Sequence, residues 1–273
     1  MNRMIWLLLS ALLFPAQVVA ADGDTGTIRG TVGGHGQTAC RGVVSLWDGS
    51  DGRSPDPRRY LIIPFSAVNL APSCAFELQA PAGSYYVGAL LRKTPGPELG
   101  PPRPGDLVFM TPDPHGGVVR VELAAGQTID IGNHAEGWRY EGMQADAPQG
   151  VSGTVRDMEG KPVAGVLVFA FADAEMTRSP LAVSARTDEE GRYLLRIDRP
   201  GQVYLRVKDD YGGGAPVDGG YVGVFGGAVP AVIEVSAAEM TAGRDIQVFK
   251  VPAGRIRSRG DAVPMPRGEK SSN

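Results

Sequence analysis

The stretch GVSGTVRDMEGKPVAGVLVFAF, residues 150–171, decides the fold. Its second half, Gly165–Phe171, is an almost unbroken apolar run that is short enough for one buried strand. Between the two halves, Asp157 and Gly160 stand at the first and fourth positions of a tight turn, just before Lys161 and Pro162. The stretch therefore predicts two β-strands joined by a turn.

The downstream sequence continues this pattern. Residues 203–207 alternate so that Val203, Leu205 and Val207 share one face of a strand, and residues 192–197 are similar. Asp188–Gly191 has the composition of a second turn, and helix signals are nearly absent. Short strands separated by turns every 8 to 12 residues or so are typical of a β-sandwich.

Composition supports an all-β chain. The 273 residues include 38 Gly and 22 Pro, and 42% of them are hydrophobic. The Gly and Pro residues lack the three-residue period of collagen, and the hydrophobic fraction argues against wholesale disorder. The net charge of −3 gives no electrostatic case for nucleic-acid binding.

The first half of the chain repeats the second weakly, at a nearly constant offset of about 120 residues. Three pairs of segments correspond: Thr27–Val32 with Gly150–Val155, Gly42–Trp47 with Gly165–Phe171, and Ala82–Val87 with Pro200–Leu205. The repeat predicts two tandem immunoglobulin-like or prealbumin-like β-sandwich domains with long Gly/Pro-rich loops. We place a divergent domain at 25–136, a linker at 137–148 and a second domain at 149–252.

The second domain resembles a known family over about residues 149–208. The similarity is carried by Gly153-Thr154-Val155, Asp157, Gly160-Lys161-Pro162, Thr187-Asp188, Gly191-Arg192-Tyr193 and Pro200-Gly201 with Tyr204. This pattern resembles the carboxypeptidase regulatory-like domain, which implies a transthyretin-like sandwich grouped with carbohydrate-binding-like folds. The first half departs from the pattern, because a long insertion, Asp48–Pro72, replaces the Thr-Asp turn.

Both ends of the chain differ from the rest. Arg3, the apolar run Ile5–Phe14 and the small residues before Ala21 form the pattern of a signal peptide, residues 1–20. No second long apolar run occurs, so we expect no transmembrane segment in the mature chain and a periplasmic or secreted location. Residues 253–273 carry five bases and two acids and are interpreted as a flexible basic tail.

The expected export of the chain bears on the redox state of its two cysteines. Cys40 and Cys74 form an even pair in a chain that is expected to enter an oxidising compartment, so we predict one disulfide between them. Zinc would need four ligands, and the three histidines, His35, His115 and His134, are scattered. The sequence therefore predicts neither a metal centre nor a cofactor.

Catalysis finds little support in the sequence. The chain lacks a zinc-peptidase constellation and a Gly-x-Ser-x-Gly nucleophile motif, and its Gly-rich runs do not open helices. The peptidase activity in the family's name resides in a separate zinc domain. We therefore predict that the chain is not an enzyme, with a transthyretin-related hydrolase as a remote alternative.

Weak binding candidates remain. Asp209, Asp210 and Asp218 could bind calcium, as could Asp48, Asp51 and Asp56, although short-range turn bonds explain such residues better. Four aromatic residues could stack on a sugar: Trp47, Tyr60, Trp138 and Tyr140. The leading hypothesis is a binding or structural module of the cell envelope that contacts an unknown envelope or extracellular protein. A carbohydrate-binding accessory protein with a glycan ligand is the alternative.

Overall fold

The computed structural model describes residues 24–33, 40–111, 118–135, 137–143, 149–211 and 216–252. Within these residues the chain is all β and forms two β-sandwiches, as predicted. The predicted signal peptide, 1–20, and basic tail, 253–273, lie outside the described residues. The described residues contain no helix that is long and apolar enough to cross a membrane.

The two sandwiches follow each other along the chain. The strands of the first are β1 (Thr25–Val32), β2 (Gly42–Asp48), β3 (Ser66–Asn69), β4 (Ala75–Pro81), β5 (Gly83–Leu91), β6 (Leu107–Met110), β7 (Arg120–Leu123), β8 (Thr128–His134) and β9 (Trp138–Arg139). The strands of the second are β10 (Gly150–Arg156), β11 (Leu167–Phe171), β12 (Ala182–Val183), β13 (Arg192–Arg196), β14 (Gly201–Lys208), β15 (Tyr221–Val224), β16 (Ile233–Val235), β17 (Met240–Thr241), β18 (Ile246–Gln247) and β19 (Phe249–Lys250).

Strand order is the same in both sandwiches. In the first, a small sheet β4–β1–β8 faces a larger sheet β3–β2–β5–β6–β9, in which β7 also pairs with β5. In the second, β13–β10–β17 with β18 faces β12–β11–β14–β15–β19, in which β16 also pairs with β14. β1 pairs antiparallel with β4 and parallel with β8. In the same way, β10 pairs antiparallel with β13 and parallel with β17.

The second core follows the alternation of its central strand, β14. Val203, Leu205 and Val207 are at most 2% exposed and pack between the sheets with Val168. The intervening side chains point away from this core, because successive residues of a strand face opposite sides. The outer face of the same sheet carries a separate apolar cluster that includes Phe169 of β11.

The two predicted turns of the second sandwich are closed by their aspartates. Asp157 Oδ1 accepts a hydrogen bond from the Lys161 amide at 2.9 Å, and Asp188 Oδ1 accepts one from the Arg192 amide at 2.8 Å. Gly191 has a φ of +74°, and a Cβ there would lie 2.5 Å from the carbonyl oxygen of Val155. The turn therefore requires glycine for two reasons, its left-handed backbone conformation and its close contact with strand β10.

The predicted disulfide is confirmed. Cys40 and Cys74 are bonded, with their Cα atoms 5.1 Å apart, and both are buried in the core of the first sandwich. In the chain-entropy model, a loop of this length gives about 3 to 4 kcal/mol of stabilisation. The bridge ties the chain entering β2 to the chain entering β4, and the long insertion lies within the loop that it closes.

The segment predicted as a linker, 137–148, differs in its first part. Trp138–Arg139 form β9, which pairs with β6, and the Tyr140 amide donates a hydrogen bond to the Asp106 carbonyl at 2.8 Å. A strand of two residues is too short to show an alternating pattern, so the composition of this segment by itself predicts a linker. Residues 144–148 lie outside the described residues.

Candidate functional site

The inserted segment 49–65, between β2 and β3, brings the two sandwiches together. Leu61 is 5% exposed and packs in the outer apolar cluster of the second sandwich with Phe169 and Phe171. The Val183 amide of β12 donates a hydrogen bond to the Leu61 carbonyl at 3.0 Å, and Ile62 forms an isolated β-bridge with Ala182. The segment thus continues the larger sheet of the second sandwich beyond its edge strand.

Three aspartates give the segment its local shape. The Oδ1 atoms of Asp48, Asp51 and Asp56 accept hydrogen bonds from the amides two residues further on, at 2.8, 3.1 and 3.1 Å. These are Asx turns, in which a short carboxylate replaces a backbone carbonyl. These three aspartates, which are calcium candidates in the sequence, therefore form turns in the structure.

Ion pairs connect the segment to the second sandwich. Asp51 Oδ2 lies 3.1 Å from Arg199 Nη2, and Arg53 Nη1 lies 3.6 Å from Asp198 Oδ2. The Arg53 amide hydrogen bond lowers the pKa of Asp51, and the charges of Arg53 and Arg199 lower this pKa further. The carboxylate form of Asp51 is thus favoured by contacts on both sides of the junction.

A crevice of about 500 Å³ lies beside these ion pairs, with walls from both sandwiches. Its apolar surface includes Phe65, which is 57% exposed, and Leu181, which is 36% exposed. Asp51, Arg199 and neighbouring charged side chains form the polar part of its lining. We call this feature the inter-sandwich crevice. An exposed apolar centre with a charged rim is the usual make-up of a protein-recognition surface.

The four predicted aromatic candidates lie in two places. Trp47 and Tyr60 line a small cavity of about 70 Å³ between the sandwiches, and Trp47 Nε1 donates a hydrogen bond to the Ile62 carbonyl at 3.0 Å. Trp138 and Tyr140 lie at the β9 edge of the first sandwich, packed with a separate apolar cluster.

Neighbouring side chains occupy or bury the rings at the β9 edge. The guanidinium of Arg58 lies 4.6 Å from the centre of the Trp138 ring, a cation–π contact. Tyr140 is 3% exposed, and burial raises its pKa to about 12. A sugar-stacking platform needs an open ring face, so the aromatic residues of this edge are poorly placed for that role.

The calcium candidates of the second sandwich also have protein partners. Asp209 Oδ2 accepts a hydrogen bond from the Tyr221 amide, and Asp210 Oδ1 lies 3.4 Å from Lys208 Nζ. Asp218 lies on the far side of residues 212–215, which the structure does not describe. Across the described ranges, no three His, Cys, Asp or Glu side chains are grouped so that they could hold a metal ion.

A buried ion pair was not predicted from the sequence. Arg92 and Asp106 lie 2.8 Å apart, with side chains 0% and 1% exposed. Arg92 also donates to the carbonyls of Glu98, Gly100 and Pro101 at 2.8 to 2.9 Å. The pair therefore holds the Gly/Pro-rich loop 94–105 in place.

A signal for this pair does exist in the sequence. Arg92 and Asp106 directly follow and precede two apolar strands that form a hairpin, with Leu91 opposite Leu107. Opposite charges at matching positions on both sides of a loop indicate that the loop closes on itself.

Comparison with known proteins places the second sandwich in a family context. Residues 150–236 match the carboxypeptidase regulatory-like domain, in agreement with the resemblance of the sequence. None of the curated proteins matches the chain at a significant level.

Several solved structures of bacterial proteins are similar at low sequence identity. The Bacillus anthracis TIE protein is 17% identical over 84% of this chain and 34% of its own, with a TM-score of 0.24. A streptococcal ancillary pilin is 14% identical over 85% of this chain and 64% of its own, with a TM-score of 0.25. The minor pilin of Streptococcus agalactiae is 15% identical over 86% of this chain and all of its own, with a TM-score of 0.25. The chain thus spans about a third of the first of these proteins.

Proposed function

We propose that this chain is an exported, non-catalytic binding protein that contacts another envelope or extracellular protein through the inter-sandwich crevice. The observation that carries the proposal is the exposure of Phe65 and Leu181 at a junction that both sandwiches build. Exposed apolar side chains rimmed by polar residues mark interaction sites, and aromatic residues are enriched in the core of protein interfaces.

Export is supported by two features. The buried Cys40–Cys74 disulfide is of a kind that persists in oxidising compartments. The signal-peptide pattern of residues 1–20 gives the route. Together they favour a periplasmic or secreted location over the cytoplasm.

The absence of catalysis is proposed from the sequence and the family. Residues 150–236 match a regulatory-like domain, and the sequence carries no nucleophile motif. Of the histidines, only His134 falls in the described part of the chain. Burial lowers the pKa of His134, and its Nε2 has no hydrogen-bond partner among the described residues. A general base would need a partner that orients it.

Carbohydrate binding is the weaker alternative. It rests on fold resemblance and on four aromatic residues, of which Tyr140 is buried and Trp138 is covered by Arg58. Fold analogy by itself is a poor guide to function.

Site-specific photo-crosslinking tests the proposal. A photoreactive phenylalanine analogue at position 65 or 181, introduced in cells that produce the full chain, should yield one discrete adduct with another protein. The same analogue at position 158 is the matched control, because Met158 is 66% exposed and lies on the turn between β10 and β11. Equal adducts at all three positions, or specific binding of the purified protein to a glycan array, would contradict a crevice that recognises protein.

A further inference from the structure

A third cavity, of about 340 Å³, lies on the outer face of the larger sheet of the second sandwich. Its apolar floor comes from Phe169, Phe171 and Tyr211, and its charged lining consists of Arg178, Arg206 and Lys208. Among the residues that the structure describes, no acidic side chain contributes to this lining. We call this cavity the basic pocket. Its volume falls in the range of small-molecule sites, about 300 to 1,000 Å³.

Strand register places Arg206 beside the apolar floor of the pocket. Phe169 of β11 lies directly opposite Arg206 of β14, and both face away from the core of the sandwich. The guanidinium of Arg206 lies 5.5 Å from the centre of the Phe171 ring. Phe169 and Tyr211 pack with their ring centres 6.1 Å apart. The pocket thus combines aromatic surfaces with positive charge.

Arg206 differs from the other two cations of the pocket. Arg178 lies 4.0 Å from Asp173, and Lys208 lies 3.4 Å from Asp210. Among the described residues, the hydrogen-bond acceptor of Arg206 is the neutral carbonyl of Met176, at 3.3 Å, and no carboxylate lies within ion-pair distance of it. A half-buried guanidinium without a protein counter-ion can accept an anionic group from a ligand.

The Met176 carbonyl is held in place by an unusual backbone conformation. Met176 has a φ of +49°, and its amide donates a hydrogen bond to Asp173 Oδ1 at 2.9 Å. Its side chain is 5% exposed and packs in the same apolar cluster as the pocket floor. The loop therefore engages one N–H of the Arg206 guanidinium.

We propose that the basic pocket binds a small aromatic carboxylate, with its ring on Phe169, Phe171 and Tyr211 and its carboxylate on Arg206. This activity goes beyond recognition of a protein at the inter-sandwich crevice and does not depend on it. Charge selects the anion, because a charge-assisted hydrogen bond in a partly desolvated site is stronger than a neutral one. The aromatic floor selects a flat apolar body.

Calorimetric titration of the purified mature chain with two probes of similar size tests the proposal. We expect 2-naphthoate to bind, and 2-naphthalenemethanol, which has the same ring system without the charge, to bind about tenfold more weakly or worse. Equal affinity for the acid and the alcohol would overturn the assignment, and so would the absence of binding heat with millimolar 2-naphthoate.

A pair of variants locates the site. Arg206→Met keeps the aliphatic stem and removes the charge, and should weaken 2-naphthoate binding about tenfold or more. Arg192→Met makes the same charge change on an exposed turn, where Arg192 pairs with Asp188, and should leave affinity unchanged. Thermal unfolding of both variants checks that they are folded. A folded Arg206→Met variant with wild-type affinity, or an equal loss in both variants, would refute the pocket.

Discussion

Replacing Asp106 by Asn should destabilise the first sandwich strongly. Asp106 accepts hydrogen bonds from Arg92 Nη1 and the Arg103 amide on Oδ2, at 2.8 and 2.9 Å, and from the Lys93 amide on Oδ1 at 3.0 Å. An asparagine has one acceptor oxygen, so its amide group would face a donor. The charge of Arg92, whose side chain is fully buried, would also lose its counter-ion.

The expected loss is about 3–5 kcal/mol, the usual cost of leaving one member of a buried pair uncompensated. A single domain is stable by about 5–15 kcal/mol, so the variant should unfold at a much lower urea concentration. Trp47 and Trp138 both lie in the first sandwich, and their fluorescence therefore reports its unfolding in the mature chain.

A matched control sharpens the test. Asp130→Asn removes the charge from an exposed pair with Arg29, in which both side chains are 55% exposed, and should leave the urea midpoint unchanged. The reasoning fails if Asp106→Asn loses less than about 1 kcal/mol, or if Asp130→Asn loses as much as Asp106→Asn.

Three further predictions concern other parts of the molecule. Replacing Cys40 and Cys74 together by Ser should lower the free energy of unfolding of the first sandwich by about 3 to 4 kcal/mol in urea titrations; a loss below about 1 kcal/mol would contradict the chain-entropy argument. Val168→Asp buries an unpaired charge at a site that is 0% exposed, so it should cost several kcal/mol and abolish amide-exchange protection in the second sandwich alone. Because the pKa of Asp51 is lowered on folding, its stabilising contribution is present above the unfolded value near 3.8 and is lost as pH falls through the folded value. The difference in unfolding free energy between wild type and Asp51→Asn should therefore be small at neutral pH and vanish in acid. A difference that grows on acidification would contradict a lowered pKa of Asp51 in the folded protein.

Periodic elements of this fold could be predicted from sequence, and the junction could not. The alternation of β14 correctly places Val203, Leu205 and Val207 in one core, because side chains two residues apart on a strand point to the same face. The inserted segment 49–65 has no such period, since its shape comes from Asx turns. Its position depends on contacts with β12, more than a hundred residues away in sequence.

The basic pocket illustrates the same limit. The strand prediction puts Arg206 on the face opposite Val207, but the partner across the sheet, Phe169, follows from the register of β11 with β14. The loop that carries Met176 adds a third contact. A cation beside aromatic rings is therefore a property of pairing between strands, and a single sequence does not specify it.

The β-bridge between Ile62 and Ala182 has a consequence for aggregation. β12 is the edge strand of its sheet, and a bare edge offers unpaired backbone groups to any other strand. The Leu61 carbonyl and the Val183 amide satisfy each other, and the Leu61 side chain covers part of the outer apolar cluster. A fragment that begins at residue 149 would have both the edge and the cluster exposed. We expect such a fragment to self-associate through this edge, because the insertion of the first sandwich covers the edge in the full chain.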